Sequence, residues 1–107
     1  MTGLQEFNDE NFDREVLRSN QPVLVDFGAE WCVPCKKLEP IVEDLASNYT
    51  GRVKFGQVDV GKSTGIAAKY GIMSVPTILI IAEGQVKEHL TGLVSKDKLV
   101  KSLEKHL

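Results

Sequence analysis

The sequence has little of what marks several large classes of protein. Its 13 basic and 15 acidic residues leave a net charge of -2, which gives no general electrostatic attraction to nucleic acid or to an anionic membrane. Its longest uninterrupted apolar run is Ile78–Ala82, far below the roughly 18 residues of a membrane-spanning helix. We therefore expect neither a nucleic-acid partner nor a membrane association.

The sequence also lacks internal repeats, linkers and an obvious leader. The segment Met1–Asn11 is polar and acidic, unlike the basic and then apolar start of a secretory signal. A chain of 107 residues, of which 42% are hydrophobic, is long enough to bury an ordinary core. We expect one domain over residues 1–107, monomeric and cytoplasmic.

Apolar spacing along the chain predicts the order β-α-β-α-β-α-β-β-α. The expected strands are buried runs or hairpin partners, at Leu4–Phe7, Val23–Phe27, Val53–Val60, Thr77–Ile81 and Gln85–Leu90. The expected helices begin at capping residues or at a proline, namely Asn8, Pro34, Ser63 or Thr64, and Ser95. The last helix is predicted to bury Leu99, Val100, Leu103 and Leu107. The pattern indicates an α/β fold with a mixed sheet between helices.

Only two cysteines are present, and they lie three positions apart in the segment Trp31–Lys36. A disulfide across so short a loop removes only about 2 kcal/mol of chain entropy, so chemistry explains the pair better than stability does. If a helix begins near Pro34, Cys32 lies at its N-terminus, where free amides and the helix dipole favour a thiolate. Cys35 lies one turn on and is expected to be the less exposed. An exposed nucleophile beside a shielded second thiol is suited to thiol–disulfide exchange.

Two less specific interpretations of the cysteines compete with this one. The first is a merely structural pair, and the second is half of a zinc site. Zinc needs two further ligands, and the only histidines, His89 and His106, have a spacing unlike that of a zinc finger. We expect no metal and favour redox chemistry.

Asp26 lies inside the apolar strand Val23–Phe27. A buried, ionised and unpartnered carboxylate costs several kcal/mol, so its presence there favours a functional acid with a raised pKa. The alternative is a carboxylate that turns outward at the end of the strand.

These features together resemble the thioredoxin family, over almost the whole chain from Phe12 to Leu103. The matching segments are Val25-Asp26-Phe27, Ala29-Glu30-Trp31-Cys32, Pro34-Cys35-Lys36, Lys69-Tyr70-Gly71-Ile72, Val75-Pro76-Thr77 and Gly92. The resemblance implies a five-stranded sheet, with three parallel strands and a hairpin running against them, covered by four helices. It also implies that Pro76 is a cis-proline packed against the cysteines and that the backbone before it pairs with the substrate chain.

The resemblance implies a protein-disulfide reductase in which Cys32 attacks, Cys35 resolves the mixed disulfide and Asp26 moves the proton of Cys35 through water. It implies recharging by an NADPH-dependent thioredoxin reductase. The chain itself has no dinucleotide-binding fingerprint, so we expect no cofactor bound to this domain. The clients would be disulfide-containing proteins. Their docking surface would consist of Trp31, Val33, Pro34, Ile72, Met73, Val75, Pro76 and Gly92. Trp31 is expected to cover the site rather than fill a core, whereas Met73 suits either role equally.

Three residues depart from the family pattern. Gly28 stands where an aromatic residue is usual, Val33 replaces the usual glycine between the cysteines, and Gln57 replaces a lysine near Asp26. Gln57 is expected to offer the carboxyl a hydrogen bond but no charge. Each departure can shift redox potential or partner choice without removing the basic reaction. The alternatives are a redox-gated protein-binding module and an isomerase-like protein with a shifted potential.

Overall fold

The computed structural model describes residues 4–107, which form one mixed sheet between layers of helices. The strands are β1 (Gln5–Glu6), β2 (Val23–Gly28), β3 (Lys54–Asp59), β4 (Thr77–Ala82) and β5 (Gln85–Thr91). The α-helices are α1 (Val33–Asn48), α2 (Thr64–Lys69) and α3 (Lys96–Glu104). A fourth, short π-helix at Asp13–Leu17 precedes them and is called the N-terminal helix. No helix between residues 4 and 107 combines the length and apolar character needed to cross a membrane.

The strands lie in the order β1-β3-β2-β4-β5. Strands β1, β3 and β2 are parallel, β4 runs antiparallel to β2, and β5 runs antiparallel to β4. The predicted five strands and the element order are confirmed. Of the hairpin, however, only β4 runs against the three parallel strands, because the turn at Glu83 and Gly84 returns β5 to their direction. Both turn residues have positive φ, as a tight hairpin requires.

Each face of the sheet has its own apolar core, because successive side chains of a strand point to opposite faces. On one face Leu24 packs with α1 and α3, through residues such as Leu38 and Leu99. On the other face Val25 packs with residues of the N-terminal helix and α2, such as Val16 and Ile66. The predicted sheet between helical layers is therefore confirmed.

The same alternation decides which polar groups of the sheet face α1. Asp26 and Gly28 share the face of Leu24, so they lie beneath α1 at the carboxyl end of β2. Asp26 is paired with Gln57 and Gly28 with Asp59 in the parallel β3 register. The neighbouring ends of β2 and β3 therefore bring Asp26, Gly28, Gln57 and Asp59 to one place under the start of α1.

Two local predictions were wrong. The α2 helix has no side-chain cap from Ser63; instead the Asp9 carboxylate accepts hydrogen bonds from the amides of Gly65 and Ile66, at 3.2 and 2.9 Å. Leu107 is 49% exposed and follows the end of α3, so it does not extend the buried stripe. A cap supplied from 56 residues away leaves no signal in the local sequence.

Candidate active site

The two cysteines form a disulfide at the N-terminus of α1. Cys32 is the N-cap residue and its Sγ accepts a hydrogen bond from the Cys35 amide at 3.2 Å. Pro34 occupies the first turn of the helix, where its missing N–H costs no helical hydrogen bond. The predicted helix start is confirmed. Because an amide of the first turn points at it, negative charge on the Cys32 sulfur is stabilised once the disulfide is reduced.

The expected difference in exposure between the cysteines was wrong. Cys32 and Cys35 are each 4% exposed. The surroundings of the two residues distinguish them instead. Cys35 lies against Gly28 on the inner side of the helix, where a Cβ added to Gly28 would be 3.4 Å from Cys35 Cβ and 3.5 Å from its Sγ.

Asp26 is buried in the strand beneath α1, at 4% exposure, so the alternative of an outward-turned carboxylate is excluded. Its Oδ1 has no hydrogen-bond partner among the residues that the structure describes. Burial raises the pKa of Asp26 from 3.8 to about 7, and the nearby Glu39 carboxylate adds to the rise by repulsion. A carboxyl with this pKa exchanges protons readily near neutral pH.

The immediate partner of Asp26 differs from the prediction. Gln57 is buried and is the register neighbour of Asp26, but the unpartnered Oδ1 receives no hydrogen bond from the Gln57 amide. The charged neighbour is Glu39, one turn beyond Cys35 on α1. Sequence reasoning missed Glu39, although its position four residues after Cys35 places both side chains on one face of the helix.

We expect the substitution Glu39→Gln to lower the pKa of Asp26 while leaving it above 3.8. The substitution removes the repulsion but not the burial, and burial is the larger cause. The pKa is measured by NMR titration of the Asp26 carboxyl carbon. Glu30→Gln is the matched control, because it removes an equal charge from the same region. An unchanged pKa in Glu39→Gln, or an equal fall in both variants, would contradict this role for Glu39.

A cavity of about 460 Å³ connects these groups. Buried Asp26 and Gln57 form its inner part, and exposed Glu30 and Lys36 form its rim. The full lining is Asp26, Gly28, Ala29, Glu30, Cys35, Lys36, Glu39, Gln57, Val58 and Asp59. Of the two cysteines it is Cys35 that lines the cavity.

The segment before β4 lies at the same end of the sheet as the cysteines. Thr77 pairs with Phe27 at the end of β2, which places Pro76 and Val75 beside the loop that leads to Cys32. The Val75–Pro76 peptide bond is cis, as the resemblance implied. Gly92 joins this end because its amide donates to the Pro76 carbonyl at 2.9 Å.

Most of the large exposed apolar side chains lie at this end of the sheet. Trp31 is 78% exposed, Val33 61% and Met73 94%, so neither Trp31 nor Met73 fills a core. Pro34 and Gly92 are also exposed, whereas Ile72 and Val75 are half-buried and Pro76 is buried. Leu93, 50% exposed, extends the same region and was missed by sequence reasoning.

Neither histidine lines the cavity beside Cys35. His89 is exposed on β5. His106 is half-buried, and its Nε2 lies 2.8 Å from a carboxylate oxygen of Glu88. Among the described residues, no group of three or more His, Cys, Asp or Glu side chains has the arrangement to hold a metal ion.

Comparison with known proteins agrees with this geometry. The thioredoxin family model matches residues 3–105. Thioredoxin 1 of Nostoc sp. is 41% identical over 107 residues, which cover all of both chains. Thioredoxin 1 of Synechococcus elongatus is 42% identical over 92% of each chain.

A chloroplastic M-type thioredoxin of Brassica napus is 42% identical over 99% of this chain, which spans only 60% of the length of that relative. The family match covers residues 3–105, and the Nostoc relative aligns over its whole length. Both are consistent with the observed order of the strands and with the cysteine pair at the start of α1. This chain belongs to the thioredoxin family.

Proposed function

We propose that the protein is a thiol–disulfide oxidoreductase that reduces disulfides in other proteins. The observation that carries the proposal is the Cys32–Cys35 disulfide at the N-terminus of α1, with the Cys32 sulfur accepting an amide hydrogen bond. A bond closed over three residues stabilises the fold little, whereas a thiolate stabilised at a helix N-terminus is an effective nucleophile. Membership of the thioredoxin family supports the same chemistry.

In the proposed reaction the Cys32 thiolate attacks one sulfur of the client disulfide. A mixed disulfide forms and the other client sulfur leaves as a thiolate, which takes up a proton. Cys35 then attacks Cys32, closing the protein's own disulfide and releasing the second client sulfur. Two electrons and two protons pass from the protein's two thiols to the client.

Asp26 is the proposed base for Cys35. Both residues line the same cavity, so water within it provides a path for the proton. A carboxyl with a pKa of about 7 accepts a proton near neutral pH and returns it when the protein is reduced again. Asp26 would thus act in the resolution step, on the side of α1 away from the client.

Clients are proposed to dock on the exposed apolar side chains around Cys32. Trp31, Val33 and Met73 provide apolar contact area, which drives association. The Val75 backbone has no hydrogen bond to another described residue, so it is available to pair with an extended client segment by strand addition. Pro34, Ile72, Pro76 and Gly92 complete the proposed surface.

We propose that residues 1–107 act as one monomeric domain, which a reductase of the thioredoxin-reductase type returns to the dithiol state. A dithiol reductant needs surroundings that keep thiols reduced, and we therefore propose the cytoplasm. The chloroplastic relatives make the chloroplast the competing compartment. No cofactor is proposed for the domain itself.

Insulin reduction separates an enzyme from a binding module whose association is gated by its redox state. With dithiothreitol as the electron source, we expect catalytic amounts of the protein to accelerate the precipitation of insulin chains several-fold or more. A stoichiometric binder would show no turnover. A titration of the Cys32–Cys35 pair against glutathione then tells a reductant from an isomerase-like protein.

A further inference from the structure

The cavity beneath α1 is lined by Cys35 but not by Cys32 or by any residue of the proposed docking surface. Gly28 opens this space. A Cβ placed on Gly28 at ideal geometry would have only Cys35 atoms within 4 Å among the described residues, so the room beside the Cys35 sulfur is otherwise unfilled. At about 460 Å³ the cavity lies within the range of roughly 300–1,000 Å³ that is usual for small-molecule sites.

The lining of the cavity favours a positive ligand. Four carboxyl groups and one ammonium group line it: Asp26, Glu30, Glu39 and Asp59 against Lys36. Even with Asp26 protonated, the carboxylates outnumber the ammonium group. A cleft lined by charge of one sign raises the local concentration of small ions of the opposite sign.

Two of the four carboxyl groups have a partner within the described residues, and two keep oxygen atoms available to a ligand. Glu30 lies 3.8 Å from the Lys62 ammonium, and Asp59 accepts a hydrogen bond from the Gly61 amide at 2.8 Å. The Glu39 carboxylate forms no ion pair within residues 4–107, and Asp26 keeps an unpartnered Oδ1 although it is 4% exposed. A buried acceptor without a partner is costly, and an entering ammonium group would satisfy it.

We propose that this cavity is a second entrance to the dithiol, through which small disulfides that carry an ammonium group reach Cys35 without passing Cys32. The proposal rests on the dithiol chemistry proposed above and extends it to a second substrate class. Protein disulfides are too large for the cavity and remain restricted to Cys32. The acidic lining does not gather into a set of metal ligands within the described residues, so the cation it suits is an organic one.

The chemistry balances without a further reactant. The Cys35 thiol gives its proton to Asp26, and its sulfur attacks the small disulfide. The S–S bond of that disulfide breaks, a bond to Cys35 forms, and one small thiolate leaves and takes up a proton. Cys32 then attacks the Cys35 sulfur, closes the protein disulfide and expels the second small thiolate. The small disulfide gains two electrons, which the protein's two thiols supply.

The test uses the reduced Cys32→Ser variant, in which Cys35 is the only thiol. Three disulfides of similar length are compared at pH 7: cystamine with two ammonium groups, 2-hydroxyethyl disulfide with none, and 3,3′-dithiodipropionate with two carboxylates. Mass spectrometry follows the mixed disulfide on Cys35. We expect cystamine to react about tenfold faster than the dicarboxylate, after each rate is divided by its value for the same variant unfolded in urea.

Filling the cavity provides the second arm of the test. Adding Gly28→Phe to Cys32→Ser should slow all three probes about tenfold, because the ring occupies the route to Cys35. The matched control is Gly28→Ala, whose methyl group makes only ordinary contact with Cys35 and should leave the rates nearly unchanged. If Gly28→Phe does not fold, Glu39→Gln in the same background should reduce the preference for cystamine several-fold.

Two outcomes would overturn the proposal. One is a preference for cystamine no greater in the folded variant than in urea. The other is an undiminished rate in folded Gly28→Phe, which would show that the probes arrive from the Cys32 side. Neither outcome affects insulin reduction by the unaltered protein, so failure of this inference and failure of the proposed function are distinguishable.

Discussion

Replacing Cys32 by serine should reduce the rate of insulin reduction to that measured without the protein. The hydroxyl of serine is a poor nucleophile at neutral pH, whereas the Cys32 sulfur has the Cys35 amide directed at it. Replacing Cys35 by serine should have a different effect. Attack by Cys32 survives, but resolution does not, and a stable mixed disulfide with the client accumulates.

Intact mass measurement distinguishes the two variants directly. After incubation with a disulfide-containing client, Cys35→Ser should carry the client's mass, and dithiothreitol should release it. Cys32→Ser should carry no protein client. In the reduced unaltered protein, iodoacetamide at neutral pH should modify Cys32 before Cys35. Faster modification of Cys35 would reverse the assigned roles.

Replacing Asp26 by asparagine should stabilise the fold at neutral pH and slow turnover. The folded protein holds the Asp26 pKa at about 7, above its ordinary value of 3.8, so the folded state binds the proton more tightly than the unfolded state does. Unfolding therefore becomes easier as the pH rises from about 3.8, and the penalty is complete above about 7. At about 1.4 kcal/mol per pH unit, the penalty reaches about 4 kcal/mol.

Asparagine carries no charge, so this penalty disappears in Asp26→Asn. If its buried amide remains unpaired, the free energy of unfolding falls by about 1–3 kcal/mol. The net gain in the free energy of unfolding at pH 7 is then about 1–3 kcal/mol. About one pH unit below 3.8 the gain should be gone, because Asp26 of the unaltered protein is then protonated in both states. Only the cost of an unpaired amide would then separate the two proteins. Urea unfolding across this pH range measures the difference. The exposed Asp97→Asn variant is the control and should follow the unaltered protein.

The same substitution removes the proposed base for Cys35. We expect the resolution step at pH 7 to slow about tenfold or more, since a positioned general base contributes roughly 10²–10⁴-fold. Stability and activity would then change in opposite directions, as is usual where a destabilising group is retained for function. A variant that is fully active and no more stable than the unaltered protein would show that Asp26 has neither role.

Local sequence patterns predicted the order of the strands and helices and the end of the sheet at which the chemistry lies. The short, β-branched and almost wholly apolar run Val23–Phe27 predicted a strand covered on both faces. Pro34 in the first turn and Cys32 just before it define the start of α1 from local backbone chemistry. The same run favoured a buried position for Asp26, and the observed burial excluded the outward-turned alternative.

The contacts of these groups depend on how the helices pack against the sheet. The position of α1 across the ends of β2 and β3 brings the Glu39 carboxylate close enough to raise the pKa of Asp26. The same position forms the cavity beside Gly28 and Cys35. The unpartnered Asp26 oxygen and the equal burial of the two cysteines depend on the same crossing. Local patterns encode which face a side chain takes, through periods of 2 and 3.6 residues. They do not encode the distance between side chains on two elements packed together, and that distance sets both the pKa of Asp26 and the route to Cys35.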